Sequence, residues 1–492
     1  MASEVRHPPS AACLSASMRD LGYSLETAIA DLVDNSISAG ADAIDVVVDA
    51  NGETPVVVML DNGHGMTEPE LLAAMRHGAT SPQQRRSAVD LGRFGLGLKT
   101  ASFSQCRSLT VVSRKGGKRC GAEWNLDRID ELDDWVLAVL DGEDIQAVPY
   151  VGRLGDHGTA VVWRGLDRLM EGEASARTDE IVNEKVELVA RHLALVFHRF
   201  LSGEVKGYAR VSLAINGRPI AAFDPFCRKN PATQILPEEI VRVDGEKVRL
   251  QPYILPHHSR LSTAEFDYYR DRSDFLSNQG VYVYRNGRLM GWGGWFRLVP
   301  KGEATKLARV QIDFPNSLDE AWTIDIKKSR AQPPLAVRER LRQIIDRIVT
   351  RSVDVHRKRG TKRFNETKAP FWERYSDHDG IRYTVNAEHP LVESLARLMP
   401  PNETGSFHMV LDAIAAALPV EMIYSDYSTD PRKVGRKPMD TGETLKRLQS
   451  LHKVLYGDRA GSVNDFRQVV RSTHLFDDDV DLVEKFISEV FA

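Results

Sequence analysis

Three short segments within the first hundred residues concentrate carboxylate, amide and glycine residues. In the first, Asp31 and Asn35 lie four positions apart and therefore on one face of any helix that contains them. A carboxylate there can orient a water molecule, while an amide oxygen helps to hold a hydrated metal ion. The same spacing also occurs on ordinary solvated helix faces, so this pair alone does not identify a site.

The second segment is DNGHGM at residues 61–66, which follows the β-rich run TPVVVML. Asp61 is thereby a strand-end carboxylate, which can accept a hydrogen bond from an exocyclic amine. Gly63 and Gly65 let the backbone approach a planar ring, and Met66 belongs to the same candidate site. The alternative interpretation is a tight turn between a strand and a helix.

The third segment is rich in glycine and precedes a helix, so its free backbone N–H groups can cradle phosphate oxygens. It is not a dinucleotide-binding fingerprint, because no short βαβ unit with a strand immediately before it is visible. It is not a Walker P-loop either. Its candidate phosphate-binding residues are Gly92, Arg93, Phe94, Gly95, Leu96, Gly97, Leu98 and Lys99.

The surrounding sequence predicts the elements that position these segments. Ser24 opens a helix over LETAIADLVDNSISAG, and Thr67 with Glu70 forms a capping box for a helix over TEPELLAAMRHG. Two β-rich runs, AIDVVVDA and TPVVVML, lie between these helices, and SLTVVSR and TAVVWRGL follow as further strands. The expected buried face of the first helix consists of Leu25, Ile29, Leu32 and Val33.

Composition and charge indicate a globular protein without a general affinity for nucleic acid. The chain has 42% hydrophobic residues, and its 65 basic and 69 acidic residues leave a formal charge of −4, so any DNA contact must be regional. Four dispersed cysteines argue against a disulfide framework or a zinc site. Since no signal-peptide pattern and no bilayer-spanning apolar run is present, we expect a soluble, cytoplasmic protein without membrane contact.

A length of 492 residues predicts more than one domain. We expect a first domain at residues 1–203 and a second, α+β domain at 204–355. A basic, turn-like linker is expected at 356–369, followed by a helical C-terminal domain at 370–492.

In this order the segments resemble the motifs of the GHKL ATPases, the superfamily of gyrase B subunits, MutL, MORC proteins, the ninety-kilodalton heat-shock chaperones and histidine kinases. The resemblance covers roughly residues 20–165. It implies that Asn35 coordinates Mg²⁺, that Asp61, Gly63 and Gly65 contact adenine, and that GRFGLGLK surrounds the phosphates of ATP.

A fourth motif of the superfamily, a Gly-Thr pair in a later strand, matches Gly158 and Thr159 and implies support of the adenine side. The family's usual general base is a glutamate, whereas this chain has Asp31, which is shorter by one methylene group. The resemblance therefore implies slow hydrolysis, or hydrolysis that depends on closure of a lid. Asp34 is a rival base, although its helical position points less directly at the same site.

Within the superfamily the details are closest to MutL and MORC. The segment HGATSP, which contains Thr80 and Ser81, resembles the start of the MutL nucleotide lid, and RNGR at residues 285–288 is similar to a motif of the MutL transducer domain. The segment WTIDIKKSRAQPP lies where that family inserts a lysine onto the γ-phosphate, and we prefer Lys328 over Lys327. An ordinary β-turn and an exposed basic cluster are the alternatives for these last two segments.

The resemblance implies an α+β fold, with a Bergerat-type α/β sandwich ATPase domain, a transducer-like βαβ domain and a small helical C-terminal region. The whole arrangement through residue 350 resembles a prokaryotic MutL/MORC-like group found with restriction-modification and phage-defence genes. We therefore expect an ATPase that uses Mg²⁺ and ATP as a conformational switch and forms a homodimer on ATP. A separate nuclease or another protein of the same system is the expected partner in defence or repair, and DNA is a further candidate.

Three other functions stay open at this stage. A chaperone-like ATPase that clamps a protein client is the main alternative, and a pure nucleotide-binding module without turnover is another. A histidine kinase is disfavoured, because no dimerisation helix with a phosphoacceptor histidine precedes the ATP-binding segments.

Overall fold

The computed structural model describes the greater part of the chain in two compact units, Met1–Val349 and Thr350–Ala492. The described residues are 7, 9–50, 55–77, 91, 97–169, 178–256, 260–272, 278–302, 305–324, 331–348, 370–377, 380–420, 422–423, 426, 440–457, 461–477 and 479–491.

An eight-stranded mixed sheet organises the first part of the first unit. Its strands are β1 (Ala43–Asp49), β2 (Val56–Asp61), β3 (Ser108–Lys115), β4 (Lys118–Asn125), β5 (Ala138–Leu140), β6 (Gly158–Arg164), β7 (Ser212–Ile215) and β8 (Arg218–Pro219). Their spatial order is β5-β4-β3-β6-β2-β1-β7-β8, and β1 pairs with β7 in parallel. Two strands of this sheet thus lie beyond residue 203, where the sequence predicted the first domain to end.

Alternate residues of the central strands enter two different cores. In β1, Val46 and Val48 pack in the larger core, whereas Val47 packs in a smaller core on the opposite face. Because side chains alternate between the faces of a sheet, a strand that is buried on both faces must be apolar throughout. This explains why AIDVVVDA and TPVVVML read as almost continuous apolar runs.

The larger core lies between the sheet and a layer of helices. The helix α2 packs against α4 and α7, and α6 supplies Ile145 to the smaller core on the other face. The predicted capping box of Thr67 with Glu70 is present, Ser24 is the N-cap of α2 as expected, and the expected buried face of α2 is buried. The helices are α1 (Ala11–Arg19), α2 (Leu25–Ser38), α3 (Glu68–Met75), α4 (Gly97–Phe103), α5 (Leu126–Leu132), α6 (Gly142–Ala147), α7 (Thr178–Val196) and α8 (His198–Leu201), with a short 3-10 helix at Val151–Arg153.

A second, six-stranded sheet follows in the same unit. Its strands are β9 (Gln234–Ile235), β10 (Glu239–Val243), β11 (Glu246–Ile254), β12 (Gly280–Arg285), β13 (Arg288–Gly294) and β14 (Ala308–Phe314). The other described elements in this part are α9 (Thr263–Arg272), the 3-10 helix Asn316–Leu318, the paired strands β15 (Thr323–Ile324) and β16 (Ala331–Gln332), and the helix α10 over residues 335–348.

The second sheet is buried on both faces. Apolar residues of α10, including Leu341 and Ile345, pack in one core, and Leu195 of α7 packs with Tyr282 and Tyr284 in another. The segment Arg285-Asn286-Gly287-Arg288 forms the hairpin turn between β12 and β13, with positive φ at its two central residues, as expected for Asn-Gly. The helix α7 therefore belongs to the cores of both sheets.

The second unit contains an antiparallel hairpin as well as the helices that its sequence predicted. The hairpin consists of β17 (Trp372–Asp377) and β18 (Gly380–Val385). The helices are Pro390–Leu398, Thr404–Ala416, Thr441–Tyr456, Val463–Thr473 and Val480–Val490, and the last three share one apolar core. Among the residues that the structure describes, no helix is both long and apolar enough to cross a bilayer.

Candidate functional site

Asp61 is the last residue of β2 and lies at the centre of the candidate site. Its side chain is 8% exposed, and it accepts hydrogen bonds from Ser36 Oγ at 2.8 Å, Gly63 N at 2.9 Å and Thr159 N at 3.2 Å. Burial raises the pKa of this carboxyl, and the three donors oppose that shift because they favour the ionised form. The structure thus brings together three predicted site residues, Asp61, Gly63 and Thr159.

The carboxylate of Asp61 retains capacity for one further donor. An ionised carboxylate offers about four acceptor positions, two on each oxygen. Oδ1 accepts from Gly63 and Thr159, and Oδ2 accepts from Ser36. Among the described residues, no donor occupies the second acceptor position of Oδ2. An N–H group of an exocyclic amine can donate a hydrogen bond to it.

Two glycines allow the backbone around Asp61 to pack closely. Gly65 has φ +65°, and a Cβ added to it would lie 2.0 Å from the carbonyl oxygen of Arg114. Gly158 has φ +126°, and an added Cβ would lie 2.0 Å from the carbonyl oxygen of Asp61. The sequence assigned Gly65 to close approach of a ligand, but its more immediate role is close approach of the loop to β3.

Replacing Gly158 with alanine is expected to destabilise the fold by at least about 2 kcal/mol, because the new side chain meets the Asp61 carbonyl oxygen in a backbone conformation that disfavours it. The matched control is Gly142→Ala, since a Cβ there meets nothing within 4 Å. Thermal unfolding of both variants measures the difference. Equal melting temperatures for the two variants would contradict the argument.

Ser113 of β3 connects the loop after β2 to β6, and the sequence analysis did not identify it. Its Oγ accepts a hydrogen bond from Met66 N at 2.8 Å and lies 3.1 Å from Gly158 O and 3.0 Å from Thr159 Oγ1. Ser36 was missed in the same way. Both serines make hydrogen bonds to segments that are distant in the sequence, which local patterns do not reveal. For Ser36 one signal was present, because it directly follows Asn35 of the first motif.

The first motif lies on α2, as predicted. Asp31 is 3% exposed and accepts a hydrogen bond from Tyr23 Oη at 3.0 Å, while Asn35, one turn later, is exposed. A Cβ on Gly97, the first residue of α4, would lie 3.5 Å from Asp31 Oδ2. The structure therefore places the start of α4, which the third motif predicted, beside the carboxylate of the first motif.

The side chains of Leu98 and Lys99, which also belong to the glycine-rich motif, contact other parts of the protein. The ammonium group of Lys99 donates a hydrogen bond to Ala74 O at 2.8 Å, and its side chain is 2% exposed. Burial lowers the pKa of Lys99 to about 8. Leu98 is half-buried against the larger core. A phosphate-binding role for these two residues stays a prediction.

Several predicted site residues lie outside the described residues. This applies to the nucleotide-lid segment, to most of the glycine-rich motif and to the lysine pair. The residues concerned are Thr80, Ser81, Gly92, Arg93, Phe94, Gly95, Leu96, Lys327 and Lys328.

Asp34, the rival general base, is fully buried in an ion pair. Its carboxylate lies 3.2 Å from Arg288 Nε, and its own side chain is 0% exposed. A carboxylate that neutralises a buried guanidinium is held by that partner and is a poor acceptor for a proton from water. The arrangement therefore favours Asp31 over Asp34 as the base.

The described donor set fits a purine nucleotide and a hard metal ion. Asp61 supplies a buried acceptor next to a backbone loop, and the exposed Asn35 supplies an amide oxygen of the kind that Mg²⁺ binds. Asp31 is buried on the same helix as Asn35, three residues before Asp34. A helix-lined sheet with this site defines a GHKL-type nucleotide-binding domain.

Comparison with known proteins agrees with this class. Residues 23–159 match the family model described as histidine kinase-, DNA gyrase B-, and HSP90-like ATPase. The N-terminal part of the chain is thus a GHKL-type domain, and the curated proteins that it resembles include DNA mismatch repair proteins MutL.

The relatives cover only part of the chain. The MutL protein of Halobacterium salinarum (strain ATCC 29341 / DSM 671 / R1) is 36% identical over 105 residues, which are 21% of this chain and 16% of that protein. The MutL protein of Bradyrhizobium diazoefficiens is 28% identical over 169 residues, or 34% and 25% of the two chains. That of Rhodopseudomonas palustris is 26% identical over 196 residues, or 39% and 30%. The chain therefore spans less than a third of the length of these relatives.

Proposed function

We propose that this protein binds Mg-ATP through the site around Asp61 and α2 and uses the nucleotide as a conformational switch. The observation that carries the proposal is the buried Asp61 carboxylate, which is fixed by three donors and retains one acceptor position. The match of residues 23–159 to a family of ATPases supports it. Titration of a non-hydrolysable ATP analogue with magnesium tests it, and the absence of binding heat with folded protein would refute it.

Hydrolysis in this proposal depends on Asp31. Its carboxylate accepts the proton of an attacking water, and Tyr23 orients the carboxylate by donating to Oδ2. Asn35 holds the metal ion by its amide oxygen, and magnesium, when bound, neutralises charge that develops on the phosphates. Because aspartate reaches one methylene less far than glutamate, turnover is slow until the lid brings the phosphates within range.

The switch in this proposal is a nucleotide-dependent change in the segment between about residues 78 and 97, together with contact of Lys328 with the γ-phosphate. Most of this segment and Lys328 lie outside the described residues. Both changes favour a homodimer in the ATP state, and hydrolysis reverses them. They depend on differential contacts to the terminal phosphate, so ADP has a smaller effect than ATP.

The dimer gives a direct prediction. Light scattering is expected to show a doubling of mass when magnesium and a non-hydrolysable ATP analogue saturate the protein, and ADP should not produce the same change. Lys328→Ala should lower the dimer fraction, whereas Lys301→Ala, another lysine of the second part of the unit, should not. An unchanged mass at saturation contradicts dimerisation on ATP but leaves nucleotide binding untouched.

The output of the switch is DNA processing in repair or defence, together with a separate nuclease. The similarity to DNA mismatch repair proteins MutL supports a role in repair. The resemblance of residues 1–350 to the MutL/MORC-like group found with phage-defence genes supports a role in defence. A chaperone-like clamp on a protein client is the alternative. Salt-sensitive DNA binding and stimulation of turnover by DNA favour the first function, and their absence together with stimulation by an unfolded client favours the second.

A further inference from the structure

The turn between β12 and β13 carries two buried arginines. Arg285 is 2% exposed and Arg288 is 5% exposed, and they occupy the two ends of the turn. A buried guanidinium is strongly unfavourable unless its charge and its N–H groups are satisfied. The partners of both arginines therefore indicate what the turn is built to contact.

Arg288 binds the helix that carries the first motif. Its Nε lies 3.2 Å from Asp34 Oδ2, and its Nη1 donates to Leu289 O at 2.8 Å. Asp34 lies directly before Asn35 and three residues after Asp31, so any movement of this turn of α2 displaces the partner of Arg288. The guanidinium also lies over the ring of Phe197, 5.7 Å from its centroid.

Arg285 binds the residue that precedes the glycine-rich motif. Its Nη1 donates to Leu91 O at 3.0 Å, and its Nε and Nη2 donate to the two carboxylate oxygens of Asp319 at 2.6 and 2.7 Å. Leu91 is 2% exposed, and its N–H donates to Ser38 Oγ at 3.1 Å, at the end of α2. The backbone is therefore fixed between α2 and the second sheet immediately before Gly92.

We infer that Arg285 and Arg288 are positioning residues that transmit the state of the nucleotide site to the second sheet. The inference rests on the proposed function, because it requires a nucleotide to move α2 or the glycine-rich motif. One end of the hairpin turn binds the helix of the first motif and the other binds Leu91, directly before the glycine-rich motif. A shift of α2 or of Leu91 must therefore be followed by β12 and β13 or must break a buried charged hydrogen bond. Packing alone does not require both arginines to contact nucleotide-binding segments.

A partly buried arginine elsewhere in the same unit provides a matched comparison. Arg199 of α8 forms an ion pair with Asp313 of β14 at 2.5 Å, and their side chains are 15% and 13% exposed. This pair also joins the helix layer to the second sheet, but its described partners do not include α2 or Leu91. Its loss should therefore affect stability without affecting transmission.

The experiment compares Arg285→Lys and Arg288→Lys with Arg199→Lys. Lysine keeps the charge but cannot make the parallel hydrogen bonds of a guanidinium. Hydrogen exchange of residues 280–294 is measured with and without magnesium and a non-hydrolysable ATP analogue, and affinity is measured by calorimetry. In the native protein and in Arg199→Lys we expect the analogue to slow exchange in this region at least about fivefold.

In Arg285→Lys and Arg288→Lys we expect the nucleotide still to bind, but with an affinity reduced at least about fivefold. The nucleotide-dependent change in hydrogen exchange at residues 280–294 should disappear in both variants. If either variant does not fold, Asp319→Asn and Asp34→Asn test the same two connections from the other side. The inference is overturned if folded variants of both the Arg285 and the Arg288 contacts still show the nucleotide-dependent slowing of hydrogen exchange. It is also overturned if the native protein binds the analogue without any change in exchange at residues 280–294. A native protein that binds no nucleotide refutes instead the proposed function.

Discussion

Asp61→Asn is expected to reduce the affinity for ATP at least about 100-fold while the domain remains folded. The amide oxygen can take the place of Oδ1 and accept from Gly63 N and Thr159 N, and the amide nitrogen can donate to Ser36 Oγ. The loop is therefore kept. The remaining acceptor position becomes a donor, however, and it then faces the donor N–H of the adenine amine. Calorimetry with a non-hydrolysable analogue measures the loss.

The same change should alter base preference. Guanine presents a carbonyl oxygen where adenine presents an amine. The amide N–H of Asp61→Asn can donate to that oxygen, whereas the carboxylate of Asp61 cannot, so the variant should bind guanine better than the native protein does. The matched control is Asp49→Asn, because Asp49 also ends a strand of this sheet and accepts from a hydroxyl, Tyr150 Oη at 2.7 Å, on a different part of the surface. Undiminished ATP affinity in Asp61→Asn would show that the adenine amine does not bind here.

The pH dependence of binding follows from the same carboxyl group. Burial raises the pKa of Asp61, so the group protonates at a higher pH than an ordinary aspartate does. Protonation removes the negative acceptor, and ATP affinity should therefore fall as the pH decreases through that raised pKa. In Asp61→Asn this decrease should be absent, which separates Asp61 from other acidic groups of the site.

Local patterns were sufficient to predict the elements of the site. The capping residues Ser24 and Thr67 mark the starts of α2 and α3, and the apolar run before Asp61 requires a strand that ends at this carboxylate. These features depend on residues within a few positions of one another. They are therefore visible in one sequence, and they were sufficient to identify the class of the domain.

Contacts between distant segments could not be predicted in this way. Ser113 reaches Met66 only because β3 pairs with β6, and Arg288 reaches Asp34 across 254 positions of the chain. From the sequence, Asp34 was a rival of Asp31 for the role of general base, whereas in the structure it is the buried partner of an arginine. The parallel pairing of β7 with β1 also depends on distant segments, so local patterns around residue 203 do not reveal it.

Asp31→Asn and Asn35→Ala are expected to separate catalysis from binding. In Asp31→Asn the amide cannot accept a proton from water, so kcat should fall at least about 100-fold, while ATP affinity stays within about threefold. In Asn35→Ala the metal loses an oxygen ligand, so the affinity for Mg-ATP should fall strongly and turnover with it. Titration of both variants with and without magnesium, together with phosphate release, measures the two effects.

Glu26→Gln is the matched control for Asp31→Asn, because Glu26 lies in the first turn of the same helix and its replacement removes the same charge. It should bind and hydrolyse ATP as the native protein does. Unchanged turnover in Asp31→Asn, with binding abolished in Asn35→Ala, would mean that the pocket is right and the base is wrong. Asp34 would not then become the base by default, because its carboxylate is buried against Arg288. The proton acceptor would then be a group other than these two carboxylates, and the pH dependence of phosphate release in Asp31→Asn would report its protonation.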